Sequence, residues 1–149
     1  MFSPEQFLDM QVTETNDTKA IPVPVGEYTA VIEEVKVRQW QSKKDPSMSG
    51  LTLDVKWSID DSAVKELLGR DKVVVNQGIM LDITDSGGLD MGKGRNISLG
   101  RLREATNLNV AGQPFSFMML AGRVAKVNVS HRIDGENIFA EVKGVAKLG

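Results

Sequence analysis

The sequence predicts a mainly β fold of five strands, with one helix between the third and fourth and an extended arm ahead of the first. Three observations predict it. Apolar and polar side chains alternate in five separate stretches, the period of a strand with one buried face. Residues 98–107 instead place Leu99, Leu102 and Ala105 or Thr106 at helical spacing. Residues 1–26 show no period and end in Pro22, Pro24 and Gly26, the chemistry of extended chain.

Within the arm, Ser3 and Pro4 suit the start of a short helix over 4–10. The first strand, 27–41, turns Val31, Val35 and Val37 inward and Glu34, Lys36, Arg38 and Trp40 outward. A polar loop over 42–50 follows, with Lys43, Lys44, Pro46 and Gly50. In the second strand, 51–59, Trp57 shares a face with Leu51, Leu53, Val55 and Ile59, which makes it a core residue. Residues 60–70 hold one helical turn closed by Gly69. The third strand, 72–84, keeps Val73, Val75, Ile79, Leu81 and Ile83 in phase, and Gly78 marks a bulge or a close backbone approach. A glycine-rich loop over 85–96 leads into the helix, capped by Ser98 and ended near Asn107. A second short helix over 114–120 stops at Gly122.

The fourth strand, 123–132, buries Ala125, Val127 and Val129. The fifth, 136–145, buries Ile138, Ala140 and Val142 and leaves Phe139 outside beside Glu141 and Lys143. Asp134 and Gly135 suit a type I′ hairpin turn between them. Three strands, a helix and a hairpin is the element order of the oligonucleotide/oligosaccharide-binding (OB) fold, a five-stranded Greek-key barrel. Such barrels bind along strands two and three, flanked by the loops 1–2 and 4–5. The expected division is an acidic arm over 1–26 and an OB-like binding domain over 27–149.

A chain of 149 residues fits one domain, and 41% apolar with 26% charged residues is ordinary for a globular protein. No apolar run approaches the roughly 18 residues of a membrane span. The first ten residues include Glu5 and Asp9 and lack the basic-then-apolar layout of a signal peptide. The absence of cysteine excludes disulfides and thiolate chemistry and suits a reducing compartment. With His131 as the single histidine, no structural zinc and no cofactor are expected. The net charge of −2 conceals an asymmetry. Residues 1–35 carry seven acids against Lys19, whereas 91–132 carry seven bases against Glu104 alone. A basic block inside an acidic chain reads as an anion-binding surface, shielded by the arm when empty, or as a solvated cluster.

Gly87, Gly92 and Lys93 nearly spell a phosphate-binding loop, but Gly94 stands where a magnesium-holding Ser or Thr is required. Nucleotide hydrolysis is therefore not expected. A flexible loop whose amides, with Lys93 and Arg95, approach phosphates is the functional reading, and a plain surface loop is the other. Asp134, Glu141 and Lys143 follow the loose pattern of magnesium nucleases, though Glu141 and Lys143 on one strand face also pair innocently. Asp82, Asp85 and Asp90 miss calcium-loop spacing and serve as turn formers. His131 alone supports no catalytic triad; a phosphate or water contact is expected of it.

Several stretches resemble small bacteriophage single-stranded DNA-binding proteins of replication and recombination modules. They are Pro24-Val25-Gly26-Glu27-Tyr28, the loop 89–96, Leu99-Gly100-Arg101-Leu102-Arg103-Glu104-Ala105, and Gly122-Arg123. The resemblance covers roughly 25–145. It implies a non-enzymatic protein of the host cytoplasm that binds single-stranded DNA, with phage replication or recombination proteins and further copies of itself as partners and no membrane. Many such proteins recruit partners through an acidic carboxyl-terminal tail; residues 145–149 carry none, which leaves the acidic arm as the substitute.

The expected interface follows from the residues. Trp40 and Phe139 stack bases, while Lys36, Arg38, Lys43, Lys44, Lys56, Lys93, Arg95, Arg123, Lys126 and Arg132 neutralise phosphates. Arg101 and Arg103 are left aside because the helix closes the far end of such barrels. Two readings of the Trp40 indole stand side by side: a nucleobase covers it, or the chain's own arm does. The rivals are a virion or adaptor protein using the same face for protein contacts, and the magnesium nuclease.

Overall fold

The computed structural model describes residues 3–148. The first two residues of the expected arm, and Gly149 at the end of the expected binding domain, lie outside the described residues. Strands β1 (Gly26–Gln41), β2 (Ser49–Ile59), β3 (Val73–Leu81), β4 (Val124–Asp134) and β5 (Asn137–Ala146) close into a ring in the order β1-β2-β3-β5-β4. Neighbours are antiparallel except β3 and β5, which run parallel. Helices α1 (Pro4–Leu8), α2 (Ser62–Leu68) and α3 (Ile97–Ala105) and a 3-10 turn at Phe117–Leu120 complete the elements. No helix among the described residues is long and apolar enough to cross a membrane.

The alternation in β2 does what its period dictates: Leu53, Val55, Trp57 and Ile59 are all fully buried. They meet Val73, Val75 and Ile79 of β3, Ala125, Val127 and Val129 of β4, and Leu99 and Leu102 of α3. Trp57 brings a polar atom into this core, and Gln77 Oε1 accepts its indole N–H at 3.0 Å.

Two bulges alter the expected phases. In β1 the register shifts between Ile32 and Glu34, so Glu33 has no partner of its own in the ladder with β2. Ala30 and Ile32 point inward before it and Val35 packs on the core after it; Val31, expected inward, faces the other way. In β5, Gly144 lies opposite Asn128 and Val142 opposite Val129, leaving Lys143 extra. Ile138 is 48% exposed because the β4–β5 hairpin runs past the start of β1 and leaves the core behind. Gly78 is no bulge: it sits in an unbroken ladder opposite Asp54.

The hairpin turn also differs from expectation. Asp134 pairs with Asn137, so the central residues are Gly135 and Glu136. Only Gly135 has a positive φ, 63°, which is the type II′ arrangement and requires glycine at its first centre. Helix α3 starts one residue before Ser98, after Asn96 in the left-handed region at φ 52°. The last arm residues are tied to the ring. Val23 is buried, its carbonyl lies 2.7 Å from His131 Nε2, and Tyr28 Oη donates to the Pro24 carbonyl.

Candidate nucleic-acid interface

Outside the ring, where β3 and β5 meet, lies a cleft of about 460 Å³. Four of the expected residues line it: Lys36 from β1, Lys56 from β2, Arg132 from β4 and Phe139 from β5. Phe139 stands opposite Arg132 in the ladder, 43% exposed, with the guanidinium carbon 4.9 Å from its ring centre. That cation–π contact holds the ring as a platform with one face engaged. The same ring borders a second cleft of about 700 Å³, walled by arm residues 18–23 and by α2 and β3 residues. Lys19 ties the arm to the hairpin there, donating to the Glu136 carbonyl at 3.1 Å.

The rim of the first cleft is charge-balanced. Lys36 pairs with Glu34 at 3.4 Å, Arg132 with Glu141 at 3.5 Å and Lys56 with Glu33 at 3.7 Å. Arg38 reaches Asp54 at 2.9 Å, and that carboxylate raises the guanidinium pKa further above its ordinary value. Bulged Glu33 also takes Lys72, whose hydrogen bond holds the carboxyl below its ordinary range despite partial burial. Apart from Glu33, these side chains stand well out in solvent, so their pairs contribute little and exchange readily.

Trp40, Lys43 and Lys44 lie beyond this cleft, at the tip of the β1–β2 hairpin. The indole rests on Gly50, its ladder partner; a β-carbon there would come within 2.7 Å of Trp40 Nε1. The surface beneath it is thus the opposite strand, a third arrangement beside the two expected. Only glycine permits this approach, and it leaves Nε1 shielded from solvent without a hydrogen-bond partner. Lys43 and Lys44 are exposed and make no ion pair among the described residues. The loop beneath them is braced by Asp45, which accepts from Ser47 twice and whose pKa that lowers.

The glycine-rich loop departs from the same end of the ring, since Leu81 lies opposite Leu51. Several of its amides are already engaged within the loop. Gly87 and Gly88 donate to Thr84, Gly92 to Asp90, Arg95 to Gly92 and Asn96 to Asp82. The Asn96 side chain bridges the Asp82 backbone and the Asp90 carbonyl, fixing both ends of the loop. Arg95 faces Asp90 at 3.7 Å, while Lys93 has no ion pair among the described residues.

Arg123 and Lys126 are not brought to the cleft. The Arg123 carbonyl accepts from Ile32 beside the β1 bulge, and Lys126 pairs with Glu27 on the β1–β4 wall at 3.8 Å. His131, expected at a phosphate or water, instead meets the arm. Among the described residues no group of three or more His, Asp or Glu is placed to hold a metal. Sequence reasoning missed Asn76 and Gln77, which line the cleft from β3. Gln77 was detectable as a polar residue at an inward position between Val75 and Ile79. No known family model and no curated protein matches the chain.

Proposed function

We propose that the protein binds single-stranded DNA without catalysing a reaction, on the wall formed by β1, β2, β3 and the β4–β5 hairpin. The single observation that carries this reading is Phe139, an exposed ring at a cleft whose rim bears Lys36, Lys56 and Arg132. A π-face tolerates any base, and each stacked base is worth about 1–3 kcal/mol. The strand order β1-β2-β3-β5-β4 matches that of an OB-type barrel, where such ligands lie across strands two and three. Phosphates take over the rim cations from their carboxylates at small cost, because exposed ion pairs contribute about 0–1 kcal/mol each. Lys43 and Lys44 extend the track along the β1–β2 hairpin. Trp40 offers a second ring once it leaves Gly50, where its shielded N–H has no partner.

Work beside phage replication or recombination proteins, in a host cytoplasm and as a self-associating protein, follows from the sequence resemblance and belongs to the same proposal. Fluorescence anisotropy with labelled oligo-dT at two salt concentrations tests the binding. Affinity falls with salt at a log–log slope of about −0.7 per phosphate neutralised. Absence of binding at low salt removes the proposal.

A further inference from the structure

One residue pair, Asn76 opposite Glu141, joins β3 to β5, and the cleft lies over that seam. The cleft there passes from its charged rim to residues of the inward face: Val55 and Gln77, 0% and 8% exposed, both line it. The orientation of the Gln77 amide follows from chemistry. The Trp57 indole N–H only donates, so the amide oxygen faces it. The amide nitrogen is left with two hydrogens, and nothing among the described residues accepts either. Nor is this nitrogen sealed away, since the one shielded and unpartnered side-chain polar atom among the described residues belongs to Trp40.

The cations stand on the rim, where the phosphates of the proposed strand meet them, and among the described residues the interior of the cleft holds no unpaired cation. That interior suits a flat, uncharged group that accepts hydrogen bonds, with the charged backbone left outside. Phe139 provides the apolar face, and about 460 Å³ falls within the roughly 300–1,000 Å³ of small-ligand sites. The geometry points to a slot for one unpaired nucleobase, its ring on Phe139 and a ring carbonyl accepting from Gln77 Nε2. Thymine, uracil, cytosine and guanine carry such a carbonyl; adenine carries none. The slot presupposes the single-strand binding proposed above and adds base discrimination to it.

The test compares oligo-dT with an oligomer of equal length in which difluorotoluene replaces thymine, keeping shape and stacking but accepting hydrogen bonds poorly. Wild-type protein binds the analogue roughly fivefold to tenfold more weakly, the effect of one lost hydrogen bond. Gln77→Glu keeps an oxygen for Trp57 but loses the donor, so it binds the two oligomers equally. Equal binding of the two oligomers by wild-type protein overturns the slot and leaves single-strand binding standing. Binding of neither oligomer removes single-strand binding, and the slot with it. The wild-type comparison needs no variant, so it decides even where Gln77→Glu fails to fold.

Discussion

The two tryptophans sit in strands that are ladder neighbours, yet their surroundings are opposite. Trp57 points into the ring, is fully buried and gives its N–H to Gln77 at 3.0 Å. Trp40 points out of the ring, lies across Gly50 and keeps its N–H shielded without a partner. A buried donor left unpaired costs about 1–3 kcal/mol. The core around Trp57 is therefore a satisfied arrangement, and the hairpin around Trp40 is one that a better partner can displace. Stability resides in the first region, whereas the second, with the cleft beside Phe139, is where the proposed binding falls.

Exchanging each ring for alanine sharpens the contrast most. Trp57→Ala opens a large cavity in the core and costs about 3–5 kcal/mol, a fall in melting temperature of roughly 10 °C or more. Trp40→Ala changes stability by less than about 1 kcal/mol, since it removes an unsatisfied donor together with partial burial. Similar losses from both would erase the distinction. Next in size, Phe139→Ala weakens oligo-dT binding by about 1–3 kcal/mol while its thermal melt stays close to wild type. A binding isotherm matching wild type would take Phe139 out of the interface.

Gly50→Ala probes the hairpin from beneath. A β-carbon 2.7 Å from the indole nitrogen forces Trp40 into solvent, so its emission shifts to the red while Trp57 emission is unchanged. An unshifted spectrum would mean that the indole does not depend on this bed. The smallest effect concerns acid stability. Glu33 has a folded-state pKa below its ordinary 4.5, held there first by Lys72. The folded state thus binds fewer protons in the acid range, and the contribution of Glu33 is complete above about pH 4.5. It is lost as pH falls through the folded value. Glu33→Gln flattens that limb of a stability–pH curve; an unchanged curve would show that the bridge to Lys72 is not maintained.

Strand positions, the buried Trp57 and the outward Phe139 were legible because period and burial are tied in a half-buried strand. The bulges at Glu33 and Lys143 were not, since one unpaired residue reverses the phase across it without a compositional mark, and so Val31 and Val35 fall on opposite faces. The pairing of the cations was legible only in part. Lys36 with Glu34 was visible from one strand, but Arg38 with Asp54 and Lys56 with Glu33 are cross-strand pairs that depend on register. The loop after β3 read as flexible because of its glycines, whereas Asn96 fixes it through contacts with Asp82 and Asp90.

Tryptophan fluorescence during titration with poly-dT, at low and at high salt, bears most directly on single-strand binding by this outer wall. Saturable quenching that weakens as salt rises, and that disappears in Trp40→Phe while Trp57 still emits, is the expected outcome. Emission that ignores the polymer at low salt, or quenching that survives in Trp40→Phe, would contradict a track running past the hairpin.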